Sequence, residues 1–103
     1  MALTSVEFHV LLALFAGPSH GYAIMGEVEQ LTSGRLRIGP GTLYTAIKRL
    51  ATAQLIEECE ADTERRRCYR LTRKGKEIGA DEARRLSELV RAARKRGFLP
   101  SAS

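Results

Sequence analysis

The chain has 103 residues, 44% hydrophobic and 28% charged, with 17 Lys and Arg against 12 Asp and Glu and a net charge of +5. That length suits one domain with a small core, and three prolines without a low-complexity tract read against long disorder. The longest apolar stretch, Phe8 to Ala16, is about half of what a membrane span needs, so the basic balance points to nucleic acid first and an anionic membrane surface second.

Ser5 reads as the N-cap of a first helix, on which Val6, Val10, Leu11, Leu14 and Phe15 recur at helical spacing. Gly17-Pro18 ends it. Ser19-His20-Gly21 starts a second helix, with Ile24, Met25, Val28 and Leu31 on one face, and Thr32-Ser33-Gly34 stops it. Arg35 to Ile38 is extended or a single turn. Pro40 opens a third helix, where its missing N–H is no loss. On that helix Leu43, Ala46, Ile47 and Leu50 fall on one side and Gly41, Thr45, Lys48 and Thr52 on the other, flanked by Thr42, Tyr44 and Arg49.

Gln54 to Cys59 and Cys68 to Leu71 read as the strands of a hairpin, with a polar loop over Ala61 to Arg66. Thr72 then caps a helix that runs to about Arg96, roughly twice the mean helix length. Ala83, Leu86, Leu89, Val90 and Ala93 form its apolar stripe. Little chain remains to cover that stripe, so a second subunit is expected on it; folding back on the first helix is the alternative.

These elements give a mainly α fold with a small β-hairpin wing, a winged helix-turn-helix, plus a long C-terminal dimerisation helix. Residues 1–71 would form the DNA-binding domain, 72–97 the dimerisation helix and 98–103 a flexible tail. No basic segment precedes Phe8, which reads against a secretory signal. Two cysteines outside any CxxC or Cys/His cluster exclude a disulfide scaffold and give no metal site. A reduced, cytoplasmic protein without metal or cofactor is the expectation.

Several motifs occur together: Leu11-Leu12-Ala13-Leu14, Gly17-Pro18-Ser19-His20-Gly21-Tyr22-Ala23-Ile24, Gly39-Pro40-Gly41-Thr42-Leu43-Tyr44, Leu55-Ile56-Glu57 and Arg67-Cys68-Tyr69-Arg70-Leu71-Thr72. In order and spacing the chain resembles the short form of the PadR family of bacterial transcriptional regulators. The resemblance covers roughly residues 5–78. It implies a homodimeric winged-helix DNA-binding protein, usually a repressor of nearby genes, that dimerises through the C-terminal helix. Some relatives release DNA on binding a small aromatic or hydrophobic effector. Gly39 stands where the family commonly has Ser, Thr45 where Pro is common, and the absence of Trp removes a Trp-sandwich pocket.

On the third helix Thr45 and Lys48 point outward to base edges, and Thr42 serves bases or phosphate. Gly41 lies on the same face. Tyr44 reaches a phosphate with its hydroxyl or packs its ring on the wing base; Arg49 makes a phosphate contact or a surface ion pair. Tyr22, at the start of the second helix, touches the backbone beside the groove or is a packing residue. His20 has no nucleophile or acid partner in a readable motif and reads as a cap or turn residue. Residues 57–64 hold five acids and residues 65–76 seven bases. Arg65, Arg66 and Arg67 of the wing therefore suit a minor groove or phosphate rail, or a solvated tip paired with Glu60, Asp62 and Glu64.

Cys59 and Cys68 lie on the two wing strands, as small apolar residues or as a redox clasp. Phe8, Leu12, Phe15, Leu86 and Val90 are candidate walls of an effector pocket, or simply core. The partner expected is double-stranded DNA with a near-palindromic operator, bound by a homodimer, with no membrane. The competing reading is a non-enzymatic winged-helix module for a protein or RNA. No phosphate-binding glycine loop, paired acids in an apolar setting or metal cluster supports an enzyme.

Overall fold

The computed structural model describes residues 2–60 and 67–100. Its elements run α1 (Ser5–Phe15), β1 (Ser19–His20), α2 (Gly21–Leu31), α3 (Pro40–Thr52), β2 (Ile56–Cys59), β3 (Cys68–Leu71) and α4 (Arg73–Arg96). The mainly helical winged fold with a long last helix is as expected, with corrections at several boundaries.

Thr4, not Ser5, caps α1. Its hydroxyl accepts the Glu7 N–H at 3.1 Å, and Glu7 Oε1 accepts the Thr4 N–H at 2.8 Å. This reciprocal box satisfies two free N–H groups, and it needs an acid three residues after the cap; only Thr4 has one there. α1 buries Val10, Leu11, Ala13 and Leu14, but Phe15, expected on the same face, is 69% exposed. In α2, Ile24 and Val28 are buried while Leu31 is exposed.

The largest correction concerns Ser19-His20. They do not open the second helix but form β1, antiparallel to β3, with Ser19 opposite Tyr69 and His20 opposite Cys68. The wing is therefore a three-stranded sheet in the order β1-β3-β2. A two-residue strand carries no alternation to read, which is why the sequence shows only the hairpin. α2 starts at Gly21, and His20 occupies its N-cap in extended backbone without a side-chain cap bond.

Thr32 organises the turn after α2. Its hydroxyl donates to Val28 O at 3.0 Å and accepts the Leu36 N–H at 3.0 Å. α3 then begins on Pro40 and buries Leu43, Ala46, Ile47 and Leu50. β2 starts at Ile56 rather than Gln54, because Gln54 turns through positive φ (62°) while Leu55 N–H returns to Leu50 O at 2.9 Å. That left-handed turn closes the helix and leaves no room for a strand.

The end of α3 and the base of the wing are tied to the start of α4. Thr72 Oγ1 donates to Gln54 O at 2.6 Å and accepts the Gly75 N–H at 3.0 Å. Thr72 N–H donates to Leu55 O at 3.1 Å, and Lys74 Nζ to Ala53 O at 3.0 Å. Gly75 packs so closely that a Cβ there would lie 2.0 Å from Leu55 O. α4 ends on Gly97 in left-handed backbone, with cationic Arg94, Lys95 and Arg96 beside the exposed carbonyls.

One core joins α1, α2, α3, Leu55, Ile56 and Tyr69, with Ile78 of α4 packed against it. Beyond that point α4 leaves the core. Ala83, Leu89 and Val90 are exposed, and Leu86 and Ala93 are half-buried. On the polar side Arg85 donates to both Glu82 oxygens at 2.7 and 2.8 Å. That bond holds the Glu82 carboxyl below its ordinary range and raises the Arg85 guanidinium in turn.

Candidate nucleic-acid interface

The inner side chains of α3 anchor it in the core, so its other side is set without freedom to roll. Gly41, Thr42, Tyr44, Thr45, Lys48 and Arg49 are all exposed. Lys48 has no ion-pair partner among the described residues. Thr45 Oγ1 donates back to Gly41 O at 3.1 Å, so in the free protein the hydroxyl offers lone pairs and a methyl group outward.

A groove of about 600 Å³ runs beside this face. The start of α2 (His20, Tyr22), the inner shoulder of α3 (Pro40, Tyr44) and β3 with its approach (Arg67, Tyr69) line it. Tyr22 is 87% exposed and Tyr44 62%. Both side chains are mostly exposed at the edge of the groove. Tyr69, buried at the floor, and His20 were not singled out for this groove from the sequence; the β1–β3 pairing that brings them there has no local signal.

Arg49 is placed differently from its neighbours. Its Nε lies 3.2 Å from Glu7 Oε2, and the Glu7 side chain is 2% exposed. The ion-pair alternative describes it, with a buried carboxylate from α1 rather than a surface acid as partner. In the wing, Arg67 pairs with Glu58 at 3.5 Å and Arg70 with Glu57 at 2.9 Å, all on exposed side chains. The acids of β2 thus draw part of the basic block across the sheet. Such exposed pairs hold weakly and give way to a stronger anion. Arg65 and Arg66 lie outside the described residues.

Cys59 and Cys68 face each other across the β2–β3 ladder, 5.1 Å apart at Cα, and are joined by a disulfide. This corrects the reading as two separate apolar side chains: direct opposition in the register brings the sulfurs together. Among the proposed pocket residues, Phe8, Leu12 and Phe15 do wall a cavity, of about 270 Å³, closed by Gly79, Ala80 and Ala83 of α4. Leu86 and Val90 lie farther along the helix, outside its lining. Among the described residues no His, Cys, Asp and Glu group could hold a metal ion, and no helix is long and apolar enough to cross a membrane.

Residues 10–80, which hold α3 with its exposed face and the wing, match the model of the transcriptional regulator PadR-like family. The chain belongs to the PadR-like family. Among solved structures this PadR-like chain is similar to a transcriptional regulator from Clostridium thermocellum, with 26% identity and a TM-score of 0.76 over 87% of this chain and 90% of that one. It is similar also to a PadR-like transcription factor from Bacteroides fragilis, with 25% identity and a TM-score of 0.72 over 87% of each chain. An uncharacterised 37.1 kDa protein of transposon Tn4556 from Streptomyces fradiae is 40% identical over 89 residues. That match spans 86% of this chain and a quarter (25%) of the longer relative. The chain thus belongs to a family of transcriptional regulators.

Proposed function

We propose that this PadR-like regulator is a homodimeric repressor that reads a near-palindromic operator with two copies of α3. The observation that carries this reading is the continuity of one exposed face. Thr42, Thr45 and Lys48 sit where base edges would be met, and Tyr22, Tyr44 and Arg67 flank them where phosphates would run. Ala51 is the one small aliphatic side chain on this side of α3, so nothing favours a protein partner over nucleic acid.

Dimerisation follows from the part of α4 that leaves the core. Ala83, Leu86, Leu89, Val90 and Ala93, with Leu12 and Phe15 of α1, form an apolar side that a second copy would cover. The cavity between α1 and α4 is of a size for one small aromatic or hydrophobic effector. Occupying it would alter how α4 carries the reading head, and so the spacing of the two α3 helices. Repression would be direct, by covering a promoter, and the protein would act in the cytoplasm.

The test is a gel shift on the DNA upstream of its own gene, across a salt series, with Lys48→Ala and Arg67→Ala beside the unmodified protein. Competitor-resistant binding that falls steeply with salt is expected. Arg67→Ala should lower the salt slope by about 1, and Lys48→Ala should in addition erode discrimination against random DNA. Equal binding to random and upstream DNA would count against the operator assignment.

A further inference from the structure

We infer that the Cys59–Cys68 bond is a reversible redox latch on the wing, and that closing it tightens the grip on DNA; this rests on the DNA-binding reading above. Cys59 and Cys68 form the last rung of the β2–β3 ladder before the loop. The bond therefore closes a ring that contains Arg65, Arg66 and Arg67. On its other side Cys68 pairs with His20, the N-cap of α2, two residues before Tyr22. The latch thus sits next to Arg67, at the groove that Tyr22 and Tyr44 flank.

The fold does not depend on the bond. The opposite end of the hairpin is fixed by Thr72 to Gln54 and Leu55, and Ile56 and Tyr69 are buried in the core. What the bond restrains is the loop end, where four-residue strands fray first. Where DNA is kept, thiols are held reduced, and a disulfide there is typically transient and redox-sensing. The two sulfurs also differ in access: Cys59 is half-buried and Cys68 buried.

The chemistry balances with a peroxide as oxidant. The Cys59 thiolate attacks one peroxide oxygen, the O–O bond breaks, and a sulfenic acid forms while hydroxide leaves and takes up the proton lost by the Cys59 thiol. The Cys68 thiolate then attacks the Cys59 sulfur, forming S–S and expelling hydroxide, which takes up the proton lost by the thiol. Two thiols give up two electrons and two protons, and the peroxide leaves as two waters. A dithiol reductant reverses the step by exchange.

The oxidised wing presents Arg67 with less freedom to lose on binding, so oxidised protein should bind roughly three- to tenfold tighter than reduced protein. The measurement uses the full chain, reduced by dithiothreitol or treated with hydrogen peroxide. Alkylation and mass spectrometry report thiols. Fluorescence anisotropy on a labelled mixed-sequence duplex of about 30 base pairs reports binding. The expected result is one intramolecular disulfide, tighter binding and reversal by dithiothreitol. Cys59→Ser and Cys59→Ala should show the reduced-state affinity under both treatments. Cysteines that stay alkylatable after peroxide, or equal binding by the two forms, would overturn the latch while leaving DNA binding intact. A disulfide that forms while neither form binds any duplex would overturn the DNA-binding reading, and the latch with it.

Discussion

Arg49 should be lost with little direct consequence for base reading and a clear consequence for stability. Its partner, Glu7, is a buried carboxylate with two differently served oxygens. Oε1 keeps the Thr4 N–H at 2.8 Å whatever stands at position 49; Oε2 faces Arg49 at 3.2 Å and makes no other bond among the described residues. Arg49→Met keeps the stem and removes the guanidinium, stranding Oε2. Leaving a buried acceptor unmatched costs about 1–3 kcal/mol, and breaking a fully buried pair about 3–5 kcal/mol. Because the Arg49 side chain is 54% exposed, water can approach from that side, and we take about 2 kcal/mol. For a domain of this size each kcal/mol shifts the melting temperature by about 4–8 °C, so a fall of roughly 10 °C is expected in a calorimetric melt. A double-mutant cycle with Glu7→Gln should show a coupling of about 1–2 kcal/mol. Lys48→Ala, one residue away and without an ion-pair partner among the described residues, should stay within about 0.5 kcal/mol of the unmodified protein and yet weaken operator binding. If Arg49→Met melts with the unmodified protein, the pair is not holding α1 to α3, and Arg49 returns to the set of phosphate contacts.

Further outcomes follow from single positions. Gly75→Ala puts a Cβ into the backbone of Leu55; a loss of about 3 kcal/mol or more is expected by urea unfolding. Gly79→Ala has only Leu11 Cδ1 at 3.9 Å, so it should be neutral or up to about 1 kcal/mol stabilising from helix propensity. Thr72→Val removes both the α4 cap and the bond to Gln54 O, with an expected cost of about 1–2 kcal/mol on the same curve. Leu89→Glu with Val90→Glu should convert a dimer into a monomer by light scattering without changing the thiol count; a dimer that survives would move the interface off α4.

The regular elements were legible because each carries its own period or punctuation. α3 was readable from Pro40 to Thr52 since four apolar residues and one proline fix both its face and its start. α4 was readable from the Thr72 cap, its apolar stripe and the absence of proline before Gly97. The paired relations were not legible. β1 is too short to alternate, Glu7 and Arg49 are far apart in sequence, and the contact of Gly75 with Leu55 depends on how two turns nest. At the site, exposure of the outer α3 residues followed from the same wheel that predicted the core. The groove could not be foreseen, because β1 places His20 beside Cys68. The disulfide lay between: the spacing allowed approach across a hairpin, but only the register, rung by rung, puts the two sulfurs face to face.

The pairing of β1 with β3 also sets an order of events during synthesis. Ser19 and His20 leave the ribosome about fifty residues before Tyr69 and Cys68, their ladder partners; at about 5–20 residues per second that interval lasts several seconds. In its last part the nascent chain already carries α3, yet has no sheet to hold the start of α2 against it. A product released early, short of residue 68, would own the letters of the recognition surface without its frame. The frame of the proposed reading head is thus complete only once β3 has been made.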